Sequence, residues 1–117
     1  MNKLIEEIFN NFEVSGVLIP VSFLRYDGSE NTFITYQETD NDNSFSGDNK
    51  LLAYVTYYDF DIYSKKNYFK IIESVKEKLE NEGFIWQPSR DSGDMYDDDT
   101  KFYHKTLCFA KPVYEEE

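Results

Sequence analysis

Residues 51–64, LLAYVTYYDFDIYS, alternate as a β-strand does, yet they are apolar on both faces over the first half. Leu52, Tyr54, Thr56, Tyr58, Phe60 and Ile62 share one face, because successive side chains in a strand point to opposite sides. The opposite face carries Leu51, Ala53, Val55 and Tyr57, then turns polar at Asp59 and Asp61. A strand of this kind belongs in a sheet whose main face is packed by helices. Its second apolar face also needs a cover, for which another subunit is the expected source.

The flanking segments supply the rest of the sheet and its helices. NKLIEEIFNNF places Leu4, Ile5, Ile8, Phe9 and Phe12 on one helical stripe, with Asn2 suited to the N-cap and Gly16 just past the end. VLIPVSFLRY alternates through Val17, Ile19, Val21 and Phe23, but Pro20 has no N–H to give a ladder, so the strand is expected to be irregular or at an edge. YDGS is a turn signal, and TFITYQ continues as a strand. KKNYFKIIESVKEKLENEG predicts an amphipathic helix with Tyr68, Ile71, Ile72, Val75 and Leu79 inside, Ser64 as cap and Gly83 as terminator. FIWQPS and TKFYHKTLCFA predict two further strands. Residues 39–50 and 89–100 read as mobile polar loops, and 113–117 as a frayed acidic tail.

The order α-β-β-β-α-β-β lacks the strand–helix alternation a parallel sheet requires. It predicts a single α+β domain over residues 1–117: a mostly antiparallel sheet of about five strands with two helices packed on one face.

Charge narrows the function. Twelve Lys and Arg against 23 Asp and Glu give a net charge of −11. A protein that grips phosphates needs a basic patch, and an anionic membrane repels an acidic surface, so nucleic-acid and membrane binding are both disfavoured. One cysteine, Cys108, excludes an internal disulfide and fits a reducing compartment. No signal peptide or long apolar span is expected in the chain, which reads as soluble and made in the cytoplasm. Ten Tyr and ten Phe are more aromatic surface than one small core hides, which again points to an interface.

The candidate chemistry is thin. Asp91, Asp94, Asp97, Asp98, Asp99 and His104 form the constellation closest to a metal site, but the carboxylates sit in a Gly- and Ser-containing loop with nothing to fix them. DNDNS, from Asp40, resembles the start of a calcium loop; Phe45 and Leu51 stand where its glycine and bidentate carboxylate belong, so that reading fails. Cys108 and His104 share a strand face, four residues or about 13 Å apart, too far for a proton to pass between them. Asp59 and Asp61 pair at i,i+2 without a partner base or acid. Trp86 and Tyr96 lack the interleaved Lys and Arg of a base-stacking platform. No enzyme, cofactor or resident metal is expected.

The succession of IPVSF, FITYQ, YDFDIYSK, LENEGF and DMYDDDTKFYHKTLCFA after an opening helix resembles the bacteriophage tail terminators and tail-to-head joining proteins. The long 39–50 loop and the polyacidic tail depart from what that family generally shows. The resemblance implies a virion structural protein, assembled in the bacterial host cytoplasm, that forms a homo-oligomeric ring, commonly a hexamer, at the head-proximal end of the tail. Such a ring ends tube growth, meets the tail tube and the head–tail connector, and leaves a channel through which DNA passes without specific binding. Under it, Leu51, Ala53, Val55, Tyr57 and Tyr96 are candidate subunit-interface residues, and Asp59, Asp61, Asp94, Asp97, Asp98 and Asp99 are candidate channel-facing or docking acids. The alternative is a small acidic mimic of DNA that inhibits a nucleic-acid-binding protein.

Overall fold

A computed structural model describes residues 2–42 and 52–114. The chain is α+β, with a mostly antiparallel sheet and two helices, α1 (Asn2–Ile8) and α2 (Phe69–Asn81). Among the described residues eight strands are present where about five were expected: β1 (Glu13–Val14), β2 (Val17–Leu18), β3 (Val21–Phe23), β4 (Thr32–Asp42), β5 (Leu52–Ser64), β6 (Ile85–Trp86), β7 (Met95–Tyr96) and β8 (Tyr103–Tyr114). β1 and β2 make a separate ribbon, and the main sheet runs β3-β4-β5-β8-β6, with β7 also on β8.

The additions lie where local backbone chemistry overrides periodicity. Gly16 does not terminate the first helix, which ends at Ile8. Ser15 (φ 53°) and Gly16 (φ 82°) both sit in the left-handed region and form the two-residue turn between β1 and β2. Positive φ at both central positions is what a tight hairpin demands, and glycine meets it without strain. The expected strand from Val17 breaks at Pro20: Val17 and Leu18 pair with the ribbon, while Val21–Phe23 join the edge of the main sheet parallel to β4. That parallel pair is the departure from an antiparallel sheet.

The second helix has the expected stripe, with Ile71, Ile72, Val75 and Leu79 buried. Its cap differs, because Ser64 is the last residue of β5 and bonds Thr32 Oγ1 instead. The stop is at Gly83 (φ 87°): Gly83 N donates to Glu80 O and Phe84 N to Leu79 O, a Schellman motif closed by the buried pair Phe84 and Leu79.

Alternation divides the sheet cleanly. Ile34, Tyr36, Tyr58, Phe60, Ile62, Leu107 and Phe109 face both helices and join Ile5, Phe9, Val75 and Leu79 in one core. Phe60 lies at its centre, with its ring 5.9 Å from those of Phe9 and Tyr36 and 5.8 Å from that of Phe109. Full burial of each such side chain stabilises the fold by about 1.5–3 kcal/mol. The Tyr36 hydroxyl is buried there without a hydrogen-bond partner among the described residues.

Three expected loops shorten. Residues 39–42 belong to β4, which absorbs Thr39 as a bulge between Glu38 and Asp40. Residues 113–114 belong to β8, while 43–50 and 115–117 lie outside the described residues. The 89–100 segment is structured in part, holding the end of a 3-10 turn (Pro88–Arg90) and β7. No helix among the described residues is long and apolar enough to cross a membrane.

Candidate functional site

The helix-free face of the sheet collects most of the chain's chemistry-bearing side chains, because strand register lines them up in rows. One row is Phe33–Tyr63–His104 across β4, β5 and β8, continued by Met95 of β7. Its rings stack: Tyr26 on Phe33 at 4.5 Å, Phe33 on Tyr63 at 4.8 Å, and Tyr63 on His104 at 4.2 Å. The next row is Thr35–Asp61–Thr106, and the next Gln37–Asp59–Cys108.

Asp61, Thr106 and His104 form a closed hydrogen-bonded group. Thr106 Oγ1 donates to Asp61 Oδ1 at 2.5 Å, and His104 Nε2 lies 3.2 Å from the same oxygen and 3.4 Å from Thr106 Oγ1. In a nucleophilic triad the hydroxyl gives its proton to the imidazole while the carboxylate holds the other ring nitrogen. Here the hydroxyl donates its hydrogen bond to the carboxylate itself, and one ring nitrogen meets both partners. The group orders the strands and leaves the hydroxyl without an activating base.

Asp59 and Cys108 form the neighbouring pair. Burial first, and the Asp61 charge second, raise the Asp59 carboxyl above its ordinary range. Burial, followed by the Asp59 charge, pushes the Cys108 thiol up to about 11, far from the depressed value of a reactive thiolate.

The segment after β6 seals the outer edge of β8. Cys108 N donates to Asp91 Oδ1 at 2.8 Å, and the other oxygen of that carboxylate accepts Trp86 Nε1–H at 2.8 Å. Thr106 N donates to Ser92 Oγ at 2.8 Å and its carbonyl accepts Ser92 N–H at 3.0 Å. Gln87 N reaches Cys108 O at 2.8 Å, β6 pairs Ala110, and β7 pairs His104. Outward-facing backbone groups of an edge strand invite another chain. These are satisfied by the chain itself.

The six-residue metal constellation is thus dispersed. Asp91 is a structural brace and His104 a sheet residue. Asp94 accepts the Tyr68 hydroxyl and lies 3.8 Å from Lys105 Nζ. Asp97 caps its own turn by accepting Asp99 N–H at 2.9 Å, and hydrogen bonding from that backbone is the main cause lowering its carboxyl. Asp98 and Asp99 are exposed. Among the described residues no group of three or more His, Cys, Asp or Glu side chains is arranged to hold a metal ion.

The candidate interface residues also separate. Val55 is buried by its own chain, and Tyr57 lies under Arg90, whose guanidinium carbon is 4.2 Å from the ring centroid. Arg90 in turn lies 3.8 Å from Asp40. Leu51 and the side chain of Ala53 fall outside the described residues. Tyr96 is exposed and stands over the Tyr103 ring at 4.8 Å.

Two hollows flank the sheet. The first, about 620 Å³, opens on the helix-free face between Leu24 and the β7–β8 turn, over Phe33, Tyr63 and His104. Leu24 is held in the left-handed region (φ 66°) by a 2.9 Å bond from its N–H to Tyr36 O, and its side chain is exposed at the mouth. The second, about 690 Å³, lies between the β1–β2 ribbon and the start of α2. Sequence reasoning missed the ring row, the Asp91 brace and this groove. The exposed apolar pair Val17 and Leu18 was its available signal, read there as part of a longer strand.

No protein-family model matches the chain, and no curated protein matches it.

Proposed function

We propose that the chain is a structural subunit that self-associates into a ring at the head-proximal end of a bacteriophage tail, ending tube growth and joining tail to head connector around a DNA channel. The observation that carries this reading is the distribution of unburied apolar side chains. Val17, Leu18 and Phe69 are exposed around the groove on the helix side of the sheet, and Leu24, Met95 and Tyr96 around the hollow on the helix-free face. Two separate apolar regions on one small domain suit a subunit that meets a neighbour on each side.

The polar groups support the same reading. The titratable side chains of the helix-free face are spent on each other, in the Asp61–Thr106–His104 group and the Asp59–Cys108 pair. Asp97, Asp98 and Asp99 stand exposed on one turn. Together with a net charge of −11 they suit a surface past which DNA moves without adhering, since like charges repel at short range.

Sedimentation of the purified chain over a wide concentration range tests the reading. A concentration-dependent closed oligomer is the expected result. A chain that stays monomeric and instead binds the basic groove of a nucleic-acid-binding protein belongs to the alternative class, the DNA mimics.

A further inference from the structure

We infer that the groove between the β1–β2 ribbon and α2 receives the β7–β8 turn of a second copy of this chain. The inference rests on the self-association reading and names the surfaces that carry it.

The groove is mainly apolar and open, and two lysines and one glutamate, Glu30, are among its lining residues. Leu18, Phe69 and Val17 line it and are 60%, 59% and 57% exposed, which with Leu24 at 57% are the highest values among the exposed large hydrophobics described. Its volume of about 690 Å³ lies within the range of roughly 300–1,000 Å³ usual for clefts that enclose a ligand. Lys66 and Lys70 also line it. Among the described residues neither ammonium takes part in an ion pair.

The β7–β8 turn has the complementary make-up. Met95 and Tyr96 are 42% and 48% exposed, and Asp97, Asp98 and Asp99 follow directly. Asp98 and Asp99 likewise form no ion pair among the described residues. Pairing of β7 with β8 and the Asp97–Asp99 turn hold this apolar–acidic tip in one shape, so little ordering entropy opposes docking.

Position makes the contact one between copies. The turn folds over the helix-free face, where Phe102 lies 5.4 Å from Phe33 and Asp97 and Thr100 line the hollow with Leu24, whereas the groove opens on the helix side between the ribbon and α2. A contact between two surfaces on different faces of the subunit, made once by each, is heterologous. It repeats from subunit to subunit and closes into a ring when the rotation permits.

The test uses two full-length variants, Leu18→Cys and Tyr96→Cys, oxidised separately and as a mixture. The native Cys108 is buried and stays silent. The expected result is a disulfide-linked dimer in the mixture and none in either variant alone. Cross-linking of a single variant alone sets like residue against like and overturns the inference. Absence of cross-linking in the mixture while the unmodified chain assembles also overturns it, leaving the ring reading in place. If the unmodified chain does not assemble in the same assay, both fall. A second arm reverses charge: Lys66→Glu with Lys70→Glu is expected to weaken association at least about tenfold. Mixing that variant with Asp98→Lys/Asp99→Lys is expected to restore it. Association unchanged by the reversal contradicts the contact.

Discussion

The two faces of the main sheet are built from alternate residues of the same strands, and they solve burial differently. On the helix-covered face, Tyr58, Phe60 and Ile62 of β5 meet apolar partners from both helices, and almost no polar atom is involved. On the other face, Asp59, Asp61 and Tyr63 are half-buried under short turns and satisfied by Cys108, Thr106 and His104. The first face is held by volume and area, and the second by hydrogen bonds and ring stacking. Loss of a large side chain should therefore hurt the first face most, while loss of a single polar atom should hurt only the second.

The largest expected effect is Phe60→Ala. It empties the centre of the covered face and should cost about 3–5 kcal/mol in denaturant unfolding. Phe33→Ala, the same truncation in the ring row of the other face, should cost about half as much, because that ring is only half-buried. Equal losses would break the distinction between the faces.

Next comes Asp91→Ala, which strands Cys108 N–H and Trp86 Nε1–H at the β8 edge. It should cost about 1–3 kcal/mol. Trp86 is the single tryptophan, so its fluorescence should shift with the loss. Unchanged stability and emission would mean that the edge does not need the brace.

Smaller and opposite effects are expected from two hydroxyl deletions. Thr106→Val, on the helix-free face, removes a bonded hydroxyl and should cost about 1 kcal/mol. Tyr36→Phe, on the covered face, removes an unpartnered one and should be neutral or stabilising by up to about 1 kcal/mol.

The smallest effect is in pH dependence. The Asp59 carboxyl is raised in the folded chain, so the folded state holds that proton more tightly than the unfolded one. Its contribution to stability is fully present below the ordinary value of 3.8 and is lost as pH rises through the folded value. Asp59→Asn should therefore raise Tm at neutral pH and flatten the pH profile in that acidic window. A variant less stable than the native chain at neutral pH would show that the Cys108 and Arg90 contacts outweigh burial.

What was legible in the sequence followed from period and size. The stripe of α2, its stop at Gly83 and the Tyr58, Phe60 and Ile62 part of the expected core face of β5 are fixed by spacing and by glycine's freedom at positive φ, and these are present. The β1–β2 ribbon was hidden because Gly16 suits a helix stop and a hairpin turn equally well. The parallel β3–β4 pair was hidden because alternation reports a strand but not its direction. The helix-free face was the least legible. Asp61 meets His104 and Thr106 across more than forty residues, and only register creates that meeting. Asp91 looked like one more loop carboxylate, since its role depends on an edge that no local pattern reveals.

Self-association at the end of a phage tail is the central claim, and imaging of native tails carrying a labelled copy of this chain tests it most directly. A closed ring of label at the head-proximal end of the tube is the predicted result. Tails without label at that end, with the chain recovered instead as a monomer bound to a basic protein, would contradict the account.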